Sequence, residues 1–317
     1  MRSIATVLAS ITLLVSACTN ENNTVFQVAK NDSSLSTFVN AVLFASNNND
    51  LAILLDNPNA TLTVFAPTND AFDALAVDVT GNPNAVGADL LTAANKDFLR
   101  SVLQYHMLGS VVTSPDIPFG LPLVTLQGNV FKIDNGTPPV ITDGRNRTAR
   151  FVAGDFQTGN GVLHKIDRVL LPPNMTITAT IQSAASAGQF TIFAQAIAAA
   201  QLVGLLDGSA PLTVFAPTDE AFISFFAQAN TTLPQLFENP QQLLDIMNYH
   251  LVSGDLFAAA LPIATPITTL QSGAIVIDQN LVITDARGRT AHIVRTDILT
   301  SNGVIHVIDQ VLLPQAR

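Results

Sequence analysis

One stretch constrains the fold of this chain more than any other, because it occurs twice. Near the end it reads Asn302-Gly303-Val304-Ile305-His306-Val307-Ile308-Asp309, running on through Leu313-Pro314. Upstream it reads Asn160-Gly161-Val162-Leu163-His164-Lys165-Ile166-Asp167, running on through Leu171-Pro172. Asn-Gly is a strong turn signal, and the residues after it are β-branched or apolar until a proline stops the run. A strand that is apolar at nearly every position, not at alternate ones, is covered on both faces. Each copy is therefore expected to be the closing strand of a domain, threaded through the middle of its core.

Other matches fall in the same order in both halves. Leu62-Thr63-Val64-Phe65-Ala66-Pro67-Thr68 recurs letter for letter as Leu212 to Thr218, followed by Ala71-Phe72 and Ala221-Phe222. Tyr105-His106 pairs with Tyr249-His250, Thr125-Leu126-Gln127 with Thr269-Leu270-Gln271, and Ile141-Thr142-Asp143 with Ile283-Thr284-Asp285. The offset between copies shrinks along the chain, so the first copy carries insertions. They fall at Thr80 to Asn84 and Asn135 to Pro139, both rich in turn residues. Insertions confined to such places mark one fold used twice. A length of 317 residues also suits two domains of roughly 150 each.

Within a copy the order is helices, a strand, helices, then strands. Phe190 to Leu206 reads as helical, as does Phe38 to Leu55. Thr213 to Ala216 alternates, and Pro217 holds Ala216 extended. Thr218-Asp219-Glu220 opens a helix, with a capping hydroxyl and acids in the first turn. Asn239-Pro240 opens the next, where Leu243, Ile246, Met247 and His250 share one apolar face. The first copy repeats that face as Leu99, Val102, Leu103 and His106. Hairpins over Ile275–Ile277, Leu281–Ile283 and Ile293-Val294 lead into the closing strand.

These three ordered motifs, each present twice, resemble the fasciclin (FAS1) family. The resemblance covers nearly the whole chain. It implies an α+β fold: two tandem domains, each a β-wedge or sandwich with a cluster of helices at one edge. It also implies extracellular adhesion or matrix binding without catalysis or cofactors. The expected layout is a signal peptide over 1–17, a tether over 18–34, a first domain over 35–172 and a second over 173–314. Family adhesion motifs carry over to Asp297-Ile298 and to the pairs Tyr249-His250 and Tyr105-His106. The first copy has Asp155-Phe156 where the second has Asp297-Ile298, which keeps the acid and loses the isoleucine.

The bland readings of the polar residues were weighed beside these. No HxxxH or HExxH spacing points to a metal, so none is expected. His106 and His250 are read as buried imidazoles satisfied by backbone, fixing a helix to the closing strand. Asp167 and Asp309 are read as structural acids accepting bonds from a nearby turn. No Gly-x-Ser-x-Gly elbow or phosphate-cradling loop occurs, so no catalytic residue is assigned. Asp143-Gly144-Arg145-Asn146-Arg147 matches Asp285-Ala286-Arg287-Gly288-Arg289. Its arginines either pair with the domain's own acids or, as the sharper reading, let Arg145, Arg147, Arg287 and Arg289 touch an anionic polysaccharide.

The start of the chain carries an address. Arg2 is basic, Ile4 to Ala17 is apolar but short for a membrane span, and Leu14-Val15-Ser16-Ala17 precedes Cys18, the sole cysteine. This resembles a bacterial lipobox, with Cys18 lipidated; the alternative is an ordinary secretory peptide cut near Ala17. Thr19 instead of Asp after the cysteine favours the outer membrane or cell surface. With a net charge of −10 and no basic stripe, nucleic acid is not an expected partner. The expected partners are a cell-surface or matrix protein or a polysaccharide, with the membrane reached through the lipid. A second reading is a binding module for a small ligand or glycan in the cleft between helices and wedge.

Overall fold

The computed structural model describes residues 23–315. In chain order the first copy contains α1 (Val25–Lys30), α2 (Ser36–Ala45), α3 (Asp50–Leu55), β1 (Leu62–Pro67), α4 (Asn69–Thr80), α5 (Lys96–Tyr105) and β2 (Met107–Leu108). A meander of β3 (Pro122–Val124), β4 (Val130–Asp134) and β5 (Val140–Thr142) follows, then the long β6 (Thr148–Thr158) and closing β7 (Gly161–Ile166). The second copy repeats the plan: α6 (Ile177–Ser186), α7 (Thr191–Ala199), α8 (Val203–Leu206), β8 (Leu212–Pro217), α9 (Asp219–Ala229), α10 (Leu233–Phe237), α11 (Pro240–Tyr249) and β9 (Leu251–Ser253). Its meander is β10 (Pro266–Thr268), β11 (Ala274–Ile277) and β12 (Val282–Thr284), and it ends in β13 (Thr290–Thr300) and β14 (Gly303–Ile308). The fold is α+β, with helices gathered before the strands in each copy.

Packing groups these elements into two compact units. The first holds residues up to Ile117 together with Arg150–Val169. The second holds Pro118–Ala149 together with the residues from Leu170 onward, so the meander β3–β5 belongs with the second copy.

In the first unit β1 is parallel to β7, from Leu62 opposite Gly161 to Pro67 opposite Ile166. On its other edge β1 is antiparallel to β2, and β7 is antiparallel to β6. In the second unit one sheet runs β10-β11-β12-β13-β14-β8-β9, with β14 parallel to β8. The closing strand is thus interior to its sheet, as its apolar run requires. Side chains of β8 divide by parity: Leu212, Val214 and Ala216 join a core with the helices, while Phe215 joins a second core with Tyr249, Ile267, Ile275 and Ile283. β14 divides likewise, Ile305 and Val307 facing the helices and Ile308 the meander. Two cores on opposite faces of one strand explain why it has no polar side.

Local rules set the element ends. Thr68 and Thr218 each accept a hydrogen bond from the backbone N–H three residues on, and Asn239 does so from Gln242. The helical stretches expected as continuous are each broken in two. Asn48 and Asn49 separate α2 from α3, and Gln201 separates α7 from α8, all at positive φ; asparagine tolerates that region because its short amide bonds locally.

The tether expected over 18–34 is corrected by the structure from Thr24 onward. Thr24 and Gln27 form a capping box, and Val25, Phe26 and Ala29 of α1 are buried. The apolar i, i+1, i+4 pattern between polar neighbours is short, and the surrounding asparagines mask it. Residues 1–22, with the signal peptide and Cys18, lie outside the described residues.

Candidate functional site

Tyr249 and His250 stand at the end of α11, where the helix meets both cores. Both are fully buried. The Tyr249 hydroxyl donates to Ala274 O at 2.6 Å and accepts from Ala286 N at 2.8 Å, and burial pushes its pKa up. Leu312 N donates to His250 Nε2 at 3.0 Å, so the proton sits on Nδ1, 2.8 Å from Ile246 O. Burial is the main cause that lowers the His250 pKa to about 4. The ring is therefore a neutral pin between helix and the segment after β14. Tyr105 and His106 are equally buried, with His106 Nδ1 2.7 Å from Val102 O.

Asp297 and Asp155 occupy equivalent bulges. β13 shifts register against β14 between Arg295 and Ile298, and β6 against β7 between Ala153 and Phe156. Both aspartates have φ of 56°, a left-handed conformation that turns the side chain out of the pleat. Each carboxylate accepts a backbone N–H through Oδ1, Asp155 from Ser114 at 2.7 Å and Asp297 from Ala258 at 2.8 Å. Each backbone N–H donates to a histidine Nδ1 at 3.3 Å, His164 in the first copy and His306 in the second. Those rings donate through Nε2 to Val112 O and Leu256 O, and burial lowers both pKa values.

The copies differ at the other carboxylate oxygen. Lys132 Nζ lies 3.1 Å from Asp297 Oδ2 and 3.0 Å from Asp134 Oδ1. Burial works against the Lys132 charge, but these two acids hold its pKa above the usual lysine value. Asp297 and Ile298 are 4% and 8% exposed, Ile298 facing the helix-side core. Asp155 is half-buried and has no lysine partner.

The arginine turns are structural clamps. Buried Asp143 receives Arg147 Nε and Nη2 at 3.0 and 2.9 Å, and buried Asp285 receives Arg289 Nε at 3.0 Å. The same carboxylates accept Leu171 N and Leu313 N, both at 3.0 Å. Arg145 and Arg287 donate to Pro172 O and Pro314 O, and burial lowers the Arg145 pKa. Each turn is thereby laced to the Leu-Leu-Pro segment that follows the closing strand. Asp167 and Asp309 accept from Arg150 N and His292 N at 2.7 Å, capping the ends of their strands.

Reading the residues missed the part played by Asn160 and Asn302. Asn302 Nδ2 donates to Leu206 O and Gly208 O at 2.7 and 2.8 Å, and its Oδ1 accepts from Ile177 N at 2.9 Å. Asn160 makes the same three bonds to Leu55 O, Asn57 O and Val25 N. The asparagine of the Asn-Gly turn thus ties the helix cluster to the sheet. Its recurrence in both copies was the available signal, and the turn reading absorbed it.

A cleft of about 800 Å³ opens beside α9–α11, lined by Asn230, Gln235, Asn239, Gln242, Asp245 and Arg287. Among the described residues no group of three or more His, Cys, Asp or Glu is arranged to hold a metal ion. Among the same residues no helix is long and apolar enough to cross a membrane.

The fasciclin domain model matches residues 33–172 and again 188–314. The chain belongs to the fasciclin family. It is 29% identical over 258 residues to the transforming growth factor-beta-induced protein ig-h3 of Sus scrofa, covering 81% of this chain and 35% of that protein. It is 28% identical over 258 residues to periostin of Homo sapiens, covering 81% of this chain and 29% of that protein. The chain spans about a third of the length of these curated relatives. Among solved structures, a FAS1 domain pair from the insect cell adhesion molecule fasciclin I aligns over 88% of this chain and 97% of its own, at 20% identity and a TM-score of 0.42.

Proposed function

We propose that this fasciclin protein is an extracytoplasmic adhesion or surface-binding protein, held at the outer membrane or cell surface through a lipid on Cys18. Its two repeats, bounded at 172/173, present surfaces to a matrix or cell-surface protein or polysaccharide and carry out no catalysis. The observation that carries this reading is the pair of complete repeats in a family of adhesion and matrix proteins. The buried Tyr–His and Asp–Ile pairs act as a frame: they hold the meander and bulge whose outer residues a partner meets. Lipid anchoring follows from burial of acyl chains at roughly 0.8 kcal/mol per CH₂. Radioactive fatty acid should label the parent protein and not Cys18→Ser. Cells bearing the parent should adhere to a matrix-coated surface and cells bearing Cys18→Ser should not; equal adherence refutes the anchored reading.

The amide-lined cleft beside α9–α11 favours a second reading, a glycan-binding module. Its lining combines donors and acceptors with one guanidinium and one carboxylate, which suits a hydroxyl-rich ligand better than an apolar one. Binding of neutral oligosaccharides on an array, lost in Gln242→Ala together with Arg287→Ala, is the expected result. Retention of binding in that double variant removes the reading.

A further inference from the structure

The two copies provide an internal control for what covers the bulged strand. In the second copy the residues from Asp297 to Thr300 are all buried, at 4, 8, 3 and 7% exposure. Their counterparts in the first copy, Asp155, Phe156 and Thr158, are half-buried, and Gln157 is exposed. The cover on the second copy is the meander β3–β5. Lys132 of β4 neutralises Asp297 Oδ2 at 3.1 Å. Asn146, in the turn after β5, pairs with the open edge of β13: Leu299 N donates to its Oδ1 at 2.8 Å, and its Nδ2 donates to Leu299 O at 3.0 Å. A carboxylate and a strand edge are both sealed by side chains more than a hundred residues away.

The first copy has the same receptor without the seal. Asp155 has the φ of Asp297, the same histidine beneath it and the same Oδ1 bond to the backbone. Among the described residues no cation reaches its Oδ2, and no side chain bonds the backbone of Gln157. A cavity of about 400 Å³ lies alongside, lined by Val111, Thr113, Gln157, Thr158 and Gly159 among others. An acid built into a bulge, beside an open strand edge, suits a partner that brings an ammonium group and an amide together.

We propose that the open end of β6, Asp155–Thr158, is a docking face for the meander of another fasciclin repeat, one carrying lysine and asparagine at the places held here by Lys132 and Asn146. This chain's own second meander is not that partner. It has Val276 in place of Lys132 and Gly288 in place of Asn146. A second copy therefore cannot supply the two contacts, and the face is reserved for a different fasciclin repeat. The inference stands on the comparison of the two copies and not on the adhesive role, so adherence of the parent protein can hold while this fails.

Installing the missing groups makes the test self-contained. Asn146 and Gly288 share a left-handed φ, of 59° and 73°, and a Cβ at Gly288 would meet nothing within 4 Å. Asp278 already stands where Asp134 flanks Lys132. The full-length chain with Asp155→Asn, Val276→Lys and Gly288→Asn offers a meander and no receptor. Mixed with the parent chain it should form a 1:1 complex in sedimentation velocity. That complex should weaken about thirtyfold or more when the parent carries Asp155→Asn, the loss of one member of a buried charge pair. A second donor chain with Asp155→Asn and Val276→Lys alone, binding more weakly through the ammonium, guards against misfolding of the first. If neither donor chain associates while circular dichroism shows both folded, or if association ignores Asp155→Asn in the parent, the proposal is overturned.

Discussion

Acid should loosen the second copy through His250, and the geometry sets both the sign and the size. Its Nε2 accepts the Leu312 N–H, so the folded protein holds the ring neutral, and burial depresses its pKa to about 4. Repulsion from Arg289 adds to that, while the backbone bond to Ile246 and the charge of Asp285 oppose it. In the unfolded chain the ring titrates near its ordinary value of about 6.5. Between those values the unfolded chain binds a proton that the native chain refuses, so stability falls as pH drops from about 6.5 to about 4 and then levels off. At about 1.4 kcal/mol per pKa unit, the loss at pH 4.5 is roughly 2.5 kcal/mol. Urea unfolding of the parent and of His250→Gln, followed through the amide signals of β14 at pH 7.5 and 4.5, measures it. Gln does not titrate, so the parent should lose about 2.5 kcal/mol more than the variant over that interval. His164 and His306 are also lowered by burial, but they are common to both chains and cancel. An equal loss in parent and variant, or a parent more stable at pH 4.5, refutes the assignment of the neutral ring.

Other substitutions test the frame. Asp285→Ala strands the Leu313 N–H and the Arg289 guanidinium, and should cost about 3 kcal/mol, less than a fully buried pair because Arg289 reaches solvent; thermal melting reads it. Tyr249→Phe deletes a hydroxyl that bonds both Ala274 and Ala286, an expected loss of about 1–3 kcal/mol in urea. Thr218→Ala removes the α9 cap and should cost about 1 kcal/mol by the same measurement. A Cβ at Gly303 would overlap the Leu212 carbonyl, so Gly303→Ala should part β14 from β8 and abolish cooperative unfolding of the second copy.

The fold was legible where short-range rules govern. Thr218, Asn239 and Pro240 act within one helical turn, so helix starts follow directly from composition. The run Val304 to Ile308 is apolar throughout because two cores flank it, so its interior place in the sheet could be inferred from the chain itself. The buried imidazole at position 250 was visible as one more residue on an apolar helical face. Much less of the candidate site could be read. Asp297-Ile298 carries the spelling of a surface motif, yet the bulge turns Asp297 inward and Ile298 faces a core. Arg145 and Arg287 stand in a polar turn and reach back to prolines beyond the closing strand.

What the amino-acid order determined by itself was the unit and its number: one α+β plan, written twice, each copy closed by an interior strand. Only the tertiary structure decided which aspartate is sealed and which is open. Asp155 and Asp297 have the same backbone conformation and the same histidine beneath them. Their difference comes from Lys132 and Asn146, which meet the second bulge and not the first. Pattern and propensity act over a few residues, whereas a charge pair that bridges 165 positions forms only once the chain has brought both ends to one place.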